Sequence, residues 1–391
     1  MPRLNLPADR QPVIIAARRS AIGRAGGMFS GLEIEEIAAP VLQAVAQDAR
    51  LEPAEIDDVI LGNAAGPGGN VARLSLLQAG FPTSVPGVTV DRQCGSGLEA
   101  VIQACRQIQS GAADVILAGG VESQSRAPLR RLPATKDLNE HSYARARFAP
   151  DTIGDPDMGA AAENVAETFH ITRERQDAFA LQSQTRADHA QRAGDFVDEI
   201  TPVDGQSQDE CIRNTMTAQR LARLRPAFRP GGTVTVGNAC PLNDGAAALV
   251  VTSLSRAQKL GHAHALAFVD AASAGVVPTQ LGIGPVAATR KLLSRRSDIS
   301  LSDLTHLEFN EAFAAQALAC LDQLKLPQTL PNPAGGAIAL GHPFGASGAI
   351  LVTRLFSQLV RHPAPASSLA MAMIGIGGGQ GLTAAFQPIE L

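Results

Sequence analysis

The chain states one structural phrase twice. Cys94-Gly-Ser-Gly-Leu-Glu-Ala-Val-Ile opens a helix-like stretch that leads to the apolar strand Asp114–Ala118. Gly345-Ala-Ser-Gly-Ala-Ile-Leu-Val opens another, which leads to the strand LAMAMIGIGGG at 369–379. Ile60-Leu-Gly-Asn63 is echoed by Leu307-Glu-Phe-Asn310, each an apolar strand ending on Asn with a helix-like stretch before it. Identity between the copies is low but their order is the same, so we read an internal duplication. Val13–Ala17 and Asp58–Leu61 read as buried strands and Leu98–Ile108 as a helix. Ile34–Ala49 carries apolar residues at helical spacing, with its regular part expected to begin near Pro40. Strands alternating with helices predict α/β layers.

Between the copies the character changes. Residues 124–243 are rich in Arg and Asp, as in RAPLRRLPATKDLNEHSYARARF, and predict one amphipathic helix over Arg173–Ala193, opened by Thr172. We expect an inserted loop domain at 124–243. The first half then spans 1–123, completed by about 244–264, and the second spans 265–391. Composition alone fits an ordinary surface insertion equally well.

Several function classes are excluded early. Thirty-seven acidic against 33 basic residues give a net charge of −4, without the basic excess of a nucleic-acid binder. Aromatics are 4%, with no Trp and one Tyr, Tyr143, so base stacking is poorly supported. No apolar run approaches the roughly 20 residues of a membrane span. MPRLNLPADRQ lacks the apolar stretch of a secretory signal, and QPIEL matches no peroxisomal or retention signal. Five cysteines (Cys94, Cys105, Cys211, Cys240, Cys320) form no C-x-x-C pair. Odd in number and widely spaced, they argue against a disulfide framework or a zinc site and for reduced thiols in the cytoplasm. Cys105, about three turns along the Cys94 helix, and Cys320 are expected in the core, and Cys211 in the polar insertion.

Four segments carry candidate chemistry. Cys94, in Asp91-Arg-Gln-Cys-Gly-Ser-Gly, is placed by its glycines at a helix N-terminus, where N–H groups and the dipole favour a thiolate; a buried, inert Cys fits the same residues. His342, in Gly341-His-Pro343, sits in a rigid turn before a helix, suited either to moving a thiol proton or to capping the loop. Asn310, in Asn310-Glu-Ala-Phe313, can donate to a developing oxyanion or cap a helix. Gly375-Ile-Gly-Gly-Gly-Gln-Gly381 can present a backbone N–H to an acyl group or simply connect two strands. It is no dinucleotide fingerprint, because Gln380 stands where the third glycine belongs and no helix pattern follows.

Together these segments resemble the thiolase family over essentially the whole chain. AGGVESQSRAP (118–128), MGAAAENVAE (158–167), ERQDAFALQSQ (174–184) and GGTVTVGNACPLNDGAAAL (231–249) support the likeness. The resemblance implies a duplicated, five-layered α/β/α/β/α core with an inserted loop domain. It implies a cytoplasmic homodimer or homotetramer that takes coenzyme A thioesters as substrates, uses no cofactor or metal, and serves fatty-acid metabolism or β-oxidation. Such enzymes interconvert 3-ketoacyl-CoA plus CoA with acetyl-CoA plus a shortened acyl-CoA. Carried over by motif, Cys94 is the acylated nucleophile, His342 its activator and an oxyanion donor, and Asn310 the holder of a water in that first oxyanion hole. The N–H groups of Cys94 and Gly377 form the second. Met158, Ala312, Phe313 and the Val236–Cys240 stretch line the pantetheine tunnel. Two departures stand out. Gly375 replaces the cysteine that serves relatives as acid/base at the α-carbon, and Cys240 stands where a Ser is common. We therefore expect Cys240 as a possible substitute thiol, against the alternative that it is merely a small packed residue. Without a substitute, the chain would be an acyl-CoA acyltransferase or thioesterase lacking C–C chemistry, or a CoA-binding protein with a degraded site.

Overall fold

A computed structural model describes residues 6–136, 138–143 and 145–391, so Met1–Asn5 at the head of the N-terminal segment read above lie outside it. Its strands are β1 (Pro12–Arg19), β2 (Gly23–Arg24), β3 (Asp58–Gly62), β4 (Gly87–Val90), β5 (Val115–Ser123), β6 (Arg130–Leu132), β7 (His141–Tyr143), β8 (Asn243–Ser253), β9 (His264–Gly275), β10 (Leu304–Phe309), β11 (Leu369–Ile376) and β12 (Gln380–Glu390). Its α-helices are α1 (Ile34–Asp48), α2 (Val71–Gln78), α3 (Ser96–Ser110), α4 (Met158–Thr168), α5 (Arg173–Ala193), α6 (Ala218–Ala222), α7 (Leu254–Lys259), α8 (Gly284–Arg295), α9 (Ala314–Leu324), α10 (Ala337–Leu340) and α11 (Phe344–Phe356). Among the described residues, no helix is long and apolar enough to cross a membrane.

Ten strands form one sheet in the order β10-β11-β12-β9-β1-β8-β5-β3-β4, with β2 beside β8. The duplication is visible in that order. Leaving aside β4, which adds a further parallel strand at the edge beyond β3, the sheet read inward runs β3-β5-β8-β1 and β10-β11-β12-β9, each with one parallel pairing followed by two antiparallel ones. The copies meet at a short seam, where Val13 pairs with Ala267 and Ile14 with Leu266. Helix α11 touches β5 and β8 of one copy and β10 and β11 of the other, although these lie far apart in strand order. The sheet therefore folds back around α3 and α11. Helix α1 packs on the outer side of the first copy and α8 on that of the second.

The close approach of α3 and α11 requires glycine. A side-chain carbon at Gly97 would stand 2.7 Å from the Gly345 carbonyl oxygen, and one at Gly348 would run into the Leu98 backbone. These are the equivalent glycines of the repeated Gly-Ser-Gly and Ala-Ser-Gly phrases, so each copy supplies one half of the crossing. Where the second copy joins β11 to β12 by the turn Gly377–Gly379, the first copy runs from β5 to β8 through residues 124–242.

Two local expectations need correction. Helix α1 begins at Ile34, not near Pro40, which lies inside it. The Glu36 carboxylate accepts the Glu33 N–H at 2.7 Å, which starts the helix a turn and a half earlier, and the proline forfeits only its own N–H. Helix α5 runs over Arg173–Ala193 with Thr172 as its N-cap, but its buried face is half polar, including Gln176, Asp177, Ser183 and Gln184. These side chains find partners in loops from distant sequence: Asp177 accepts from Asn238 at 2.9 Å, and Ser183 donates to Glu311 at 2.6 Å.

Gly97→Ala is expected to destabilise the protein by about 1–3 kcal/mol through overpacking, measured by denaturant unfolding, because neither backbone can retreat. An unchanged midpoint would mean that the helices have slack at the crossing.

Candidate active site

The α3/α11 crossing brings two helix N-termini together, and the candidate residues hang from them. On the first, Gln93 adopts φ +50°, and its N–H is held by Asp91 Oδ1 at 2.7 Å, so the chain turns sharply at Cys94 before α3 begins. Ser96 Oγ accepts the Arg92 N–H at 2.8 Å and donates to the Gln93 carbonyl at 2.6 Å, which fixes that turn. Cys94 keeps some contact with solvent. The Gly377 N–H is directed at its sulfur. That amide is presented by the β11–β12 turn, where Gly378 and Gly379 have φ of +81° and +77°, a conformation that nearly demands glycine.

On the second, His342 is buried and its N–H donates to Asn243 Oδ1 at 2.8 Å. Ser347, the counterpart of Ser96, uses its single hydroxyl hydrogen on the Pro343 carbonyl at 3.0 Å. It must then accept from His342 Nδ1, 2.6 Å away. This assigns the proton to Nδ1 and leaves Nε2 bare, with the Asn310 amide 3.3 Å from it. Asn310 is no helix cap: α9 starts at Ala314 with Phe313 as its N-cap. Its own N–H is anchored to the Met373 carbonyl at 3.0 Å, which aims the side chain into the site from the end of β10.

The expected thiolate is not the resting form. Burial pushes the Cys94 thiol up to about 12 against the pull of the Gly377 N–H, with the charges of Glu122 and Asp91 adding to the rise. Burial likewise pushes His342 down to about 3. Desolvation outweighs the helix dipole on which the sequence argument relied, so thiol and imidazole rest as a neutral pair.

Cys240 is brought into the same region. Its N–H donates to the Ala312 carbonyl at 3.0 Å, the next residue back, Ala239, bridges to Phe313, and Leu242 bridges to His342. Burial raises its thiol well above the ordinary range, and charge on Cys94 raises it further. Among the described residues its sulfur makes no hydrogen bond to Cys94 or His342. Cys240 lines a cleft of ≈ 410 Å³ with Val236, Ala239, Leu242, Phe228, Arg24 and Arg213. Phe313 meets Phe228 edge-on at 5.9 Å. Met158 opens α4 next to Gly159, which abuts the same Phe228 ring. Gly375 lies on β11, opposite Gly381.

Sequence reasoning missed four supports. Ser347 was recoverable from its repeat partner Ser96. Buried Glu122, on β5, accepts N–H groups from Ala64, Ala65 and Gly345 at 2.9–3.1 Å, tying the loop after β3 and the first turn of α11 to that strand, and burial pushes it up to about 7. Glu311 accepts from Ser183 and Asn332, pinning α5 to the loop that follows Asn310. Phe148, from the insertion, covers the Gly377 turn so closely that a side-chain carbon there would lie 2.7 Å from its ring. No local signal marks the last three.

A repeated strand set closed around two glycine-packed helices, with a cysteine, a histidine and an asparagine near their N-terminal junction, is the architecture of a class of acyltransferases. The chain belongs to the thiolase family: residues 12–255 match the thiolase N-terminal domain and residues 262–388 the thiolase C-terminal domain. It is 47% identical over 385 residues to a Staphylococcus epidermidis protein named "Putative acetyl-CoA C-acetyltransferase VraB", covering 97% of this chain and 98% of that one. It is 43% identical to the protein of the same name from Staphylococcus aureus, covering 96% and 99%. The crystal structure of the Bacillus anthracis acetyl-CoA acetyltransferase superposes with a TM-score of 0.88 at 38% identity, covering 97% of this chain and 99% of that one. The duplicated α/β fold and the acyltransferase class expected from the motifs both hold.

The neutral resting pair predicts an unusual pH profile. A thiolate already formed through an ion pair with His would give iodoacetamide alkylation a plateau between pH 6 and 8, and a free thiol one above its usual pKa of roughly 8.5. With the Cys94 thiol at about 12, the rate is expected to climb with pH and still be climbing at pH 10. A plateau below pH 8, read by peptide mass spectrometry at Cys94, contradicts the neutral pair.

Proposed function

We propose that this chain cleaves 3-ketoacyl-CoA with CoA, or runs the reverse condensation of acetyl-CoA, through an acyl-enzyme on Cys94. The observation that carries the reading is the bare Nε2 of His342, fixed by Ser347 and approached by the Asn310 amide, in the same junction as a thiol that meets the Gly377 N–H. With both partners neutral at rest, the proton leaves sulfur for Nε2 only as sulfur attacks the ketone carbon. In the cleavage direction the S–C bond forms, the C2–C3 bond breaks, and acetyl-CoA departs as its enolate, which takes a proton at C2. The thiol of incoming CoA gives its proton to the Cys240 thiolate that protonating the enolate left behind and attacks the acyl-enzyme, and as the shortened acyl-CoA leaves, His342 Nε2 returns its proton to Cys94. Backbone N–H groups at Cys94 and Gly377, with the His342–Asn310 pair, serve the two oxyanions.

With Gly375 unable to supply a proton, Cys240 is the acid/base in this reading. Its support is its place on the cleft wall within the field of Cys94, and a raised pKa that keeps it protonated until needed. Val236 lines the cleft, Phe313 meets the Phe228 ring of its wall and Ala312 holds the Cys240 N–H, which suits a pantetheine arm, with Met158 assigned to the same arm by family likeness, while Arg24 and Arg213 at the cleft suit the phosphates of CoA.

The test is thiolysis of acetoacetyl-CoA by CoA, followed as loss of the enolate absorbance, beside Cys94→Ser and Cys240→Ser. The reading expects activity in the parent, its abolition in Cys94→Ser, and a loss of about 10²–10⁴-fold in Cys240→Ser, the range for a general acid or base. Full activity in Cys240→Ser retires the Cys240 assignment. A parent that is acylated at Cys94 but performs no thiolysis replaces the reading with acyl transfer or thioester hydrolysis.

A further inference from the structure

Beside the His342–Asn310 pair the fold encloses a cavity of ≈ 20 Å³. Glu308, Asn310, Ser347 and Arg354 supply its polar lining, and every residue that lines it is buried. Glu308 and Asn310 stand two residues apart at the end of β10, so the pleat turns both side chains to one face. Arg354 lies on α11, about two turns beyond Ser347 and on the same side of that helix.

These four side chains are unequally engaged. Ser347 has nothing to spare, with its hydrogen on the Pro343 carbonyl and its oxygen facing His342 Nδ1. Arg354 donates through Nη1 to Glu199, but its buried Nε–H has no partner among the described residues. Glu308 is 2% exposed, and among the described residues its carboxyl is met by Gln358 Nε2 alone. Asn310 turns its amide nitrogen to His342 Nε2, and its side-chain oxygen receives no hydrogen bond among the described residues.

An unpaired N–H, a thinly held carboxyl and an idle amide oxygen around one enclosed space are costly, and folded proteins leave few such groups unanswered. One water needs about 10–15 Å³ of such space, so the cavity has room for one. A water there accepts the Arg354 Nε–H, gives one hydrogen to Glu308 and gives the other to Asn310 Oδ1. Three bonds are the usual complement of a buried water. An amide whose oxygen is held by a donor does not turn over, so the Asn310 nitrogen stays toward His342 Nε2.

We propose that this cavity is a one-water site and that Glu308 and Arg354, through that water, are positioning residues for the Asn310 amide. The water site stands on the cavity and its lining, whereas its effect on acyl transfer rests on the acyl-enzyme reading above. Burial pushes Glu308 up to about 7 against the pull of Arg354 and Gln358, so at pH 8 the carboxylate is the form that accepts from the water.

A neutron crystal structure at pH 8 is expected to show one ordered water whose deuterons point to Glu308 and Asn310 Oδ1 and whose oxygen takes the Arg354 Nε deuteron. Glu308→Met replaces the acceptor with an apolar chain of similar length, and Glu308→Gln keeps an oxygen in place. Acetylation of Cys94 by acetyl-CoA, followed by mass spectrometry at pH 8, is expected to slow about tenfold in Glu308→Met, a fraction of what a whole oxyanion donor supplies, and less than about threefold in Glu308→Gln. Asn310→Ala is slow in its own right, and adding Glu308→Met to it is expected to cost less than about twofold more, because no amide is left to position. A cavity without ordered water, or equal losses from Glu308→Met with and without the Asn310 side chain, overturns the proposal. A parent that acetyl-CoA does not acylate at Cys94 fails the acyl-enzyme reading instead. The neutron structures then decide: an Asn310 amide turned over or split between orientations in Glu308→Met supports the positioning role, and an unmoved amide overturns it. Cooperative thermal unfolding confirms that the variants fold.

Discussion

The contact between α3 and α11 is the constraint on which the site depends. Two helices can approach so closely only where glycine hydrogen faces backbone, and Gly97 and Gly348 supply that from opposite copies of the repeat. Their approach places the Cys94 turn and the Gly341–Gly345 loop at one junction, and it obliges the sheet to fold around both. Three polar side chains around the site are held by carbonyls and amides beside the crossing: Ser96 on Gln93 O, Ser347 on Pro343 O, and Glu122 on the Gly345 N–H. The duplication is thus used asymmetrically. One copy offers a thiol at its helix N-terminus, and the other offers an imidazole three residues before the equivalent position.

Burial sets the electrostatics. Burial suppresses charge on Cys94, despite its remaining contact with solvent, and on the fully buried His342, so in the proposed reaction both groups would start uncharged. Such an arrangement protects a nucleophile from indiscriminate alkylation and oxidation, because the thiolate is the reactive species. It also makes the amides around the site more effective, since donors that already point at a developing charge need no reorganisation.

Much of this was legible in the sequence, wherever the signal was local. The repeat announced the two central helices and their strands, Thr172 marked the start of α5, and the glycine run at 377–379 marked a tight turn. Pro40 misled because proline's preference for a helix start outweighs, in sequence, the Glu33–Glu36 start that precedes it. The thiolate expectation failed for a different reason: a helix N-terminus is visible in sequence, but the desolvation that overrides it is contributed by elements hundreds of residues away. Phe148, Glu122 and Glu311 were invisible on the same grounds, since each acts across a long sequence separation. Gly375 was visible as a departure from the family pattern, but only the fold shows that a side chain there would meet Gln316 and Gly282.

The central claim is that the crossing of the two copies builds a nucleophile at Cys94. It is tested most directly by incubating the purified protein with acetyl-CoA and mapping the adduct by mass spectrometry while counting released CoA. The account predicts one acetyl group on the peptide bearing Cys94, matched by one CoA released per chain acylated, and no adduct in Cys94→Ser. An adduct on any other cysteine, or CoA release without modification of Cys94, would contradict it.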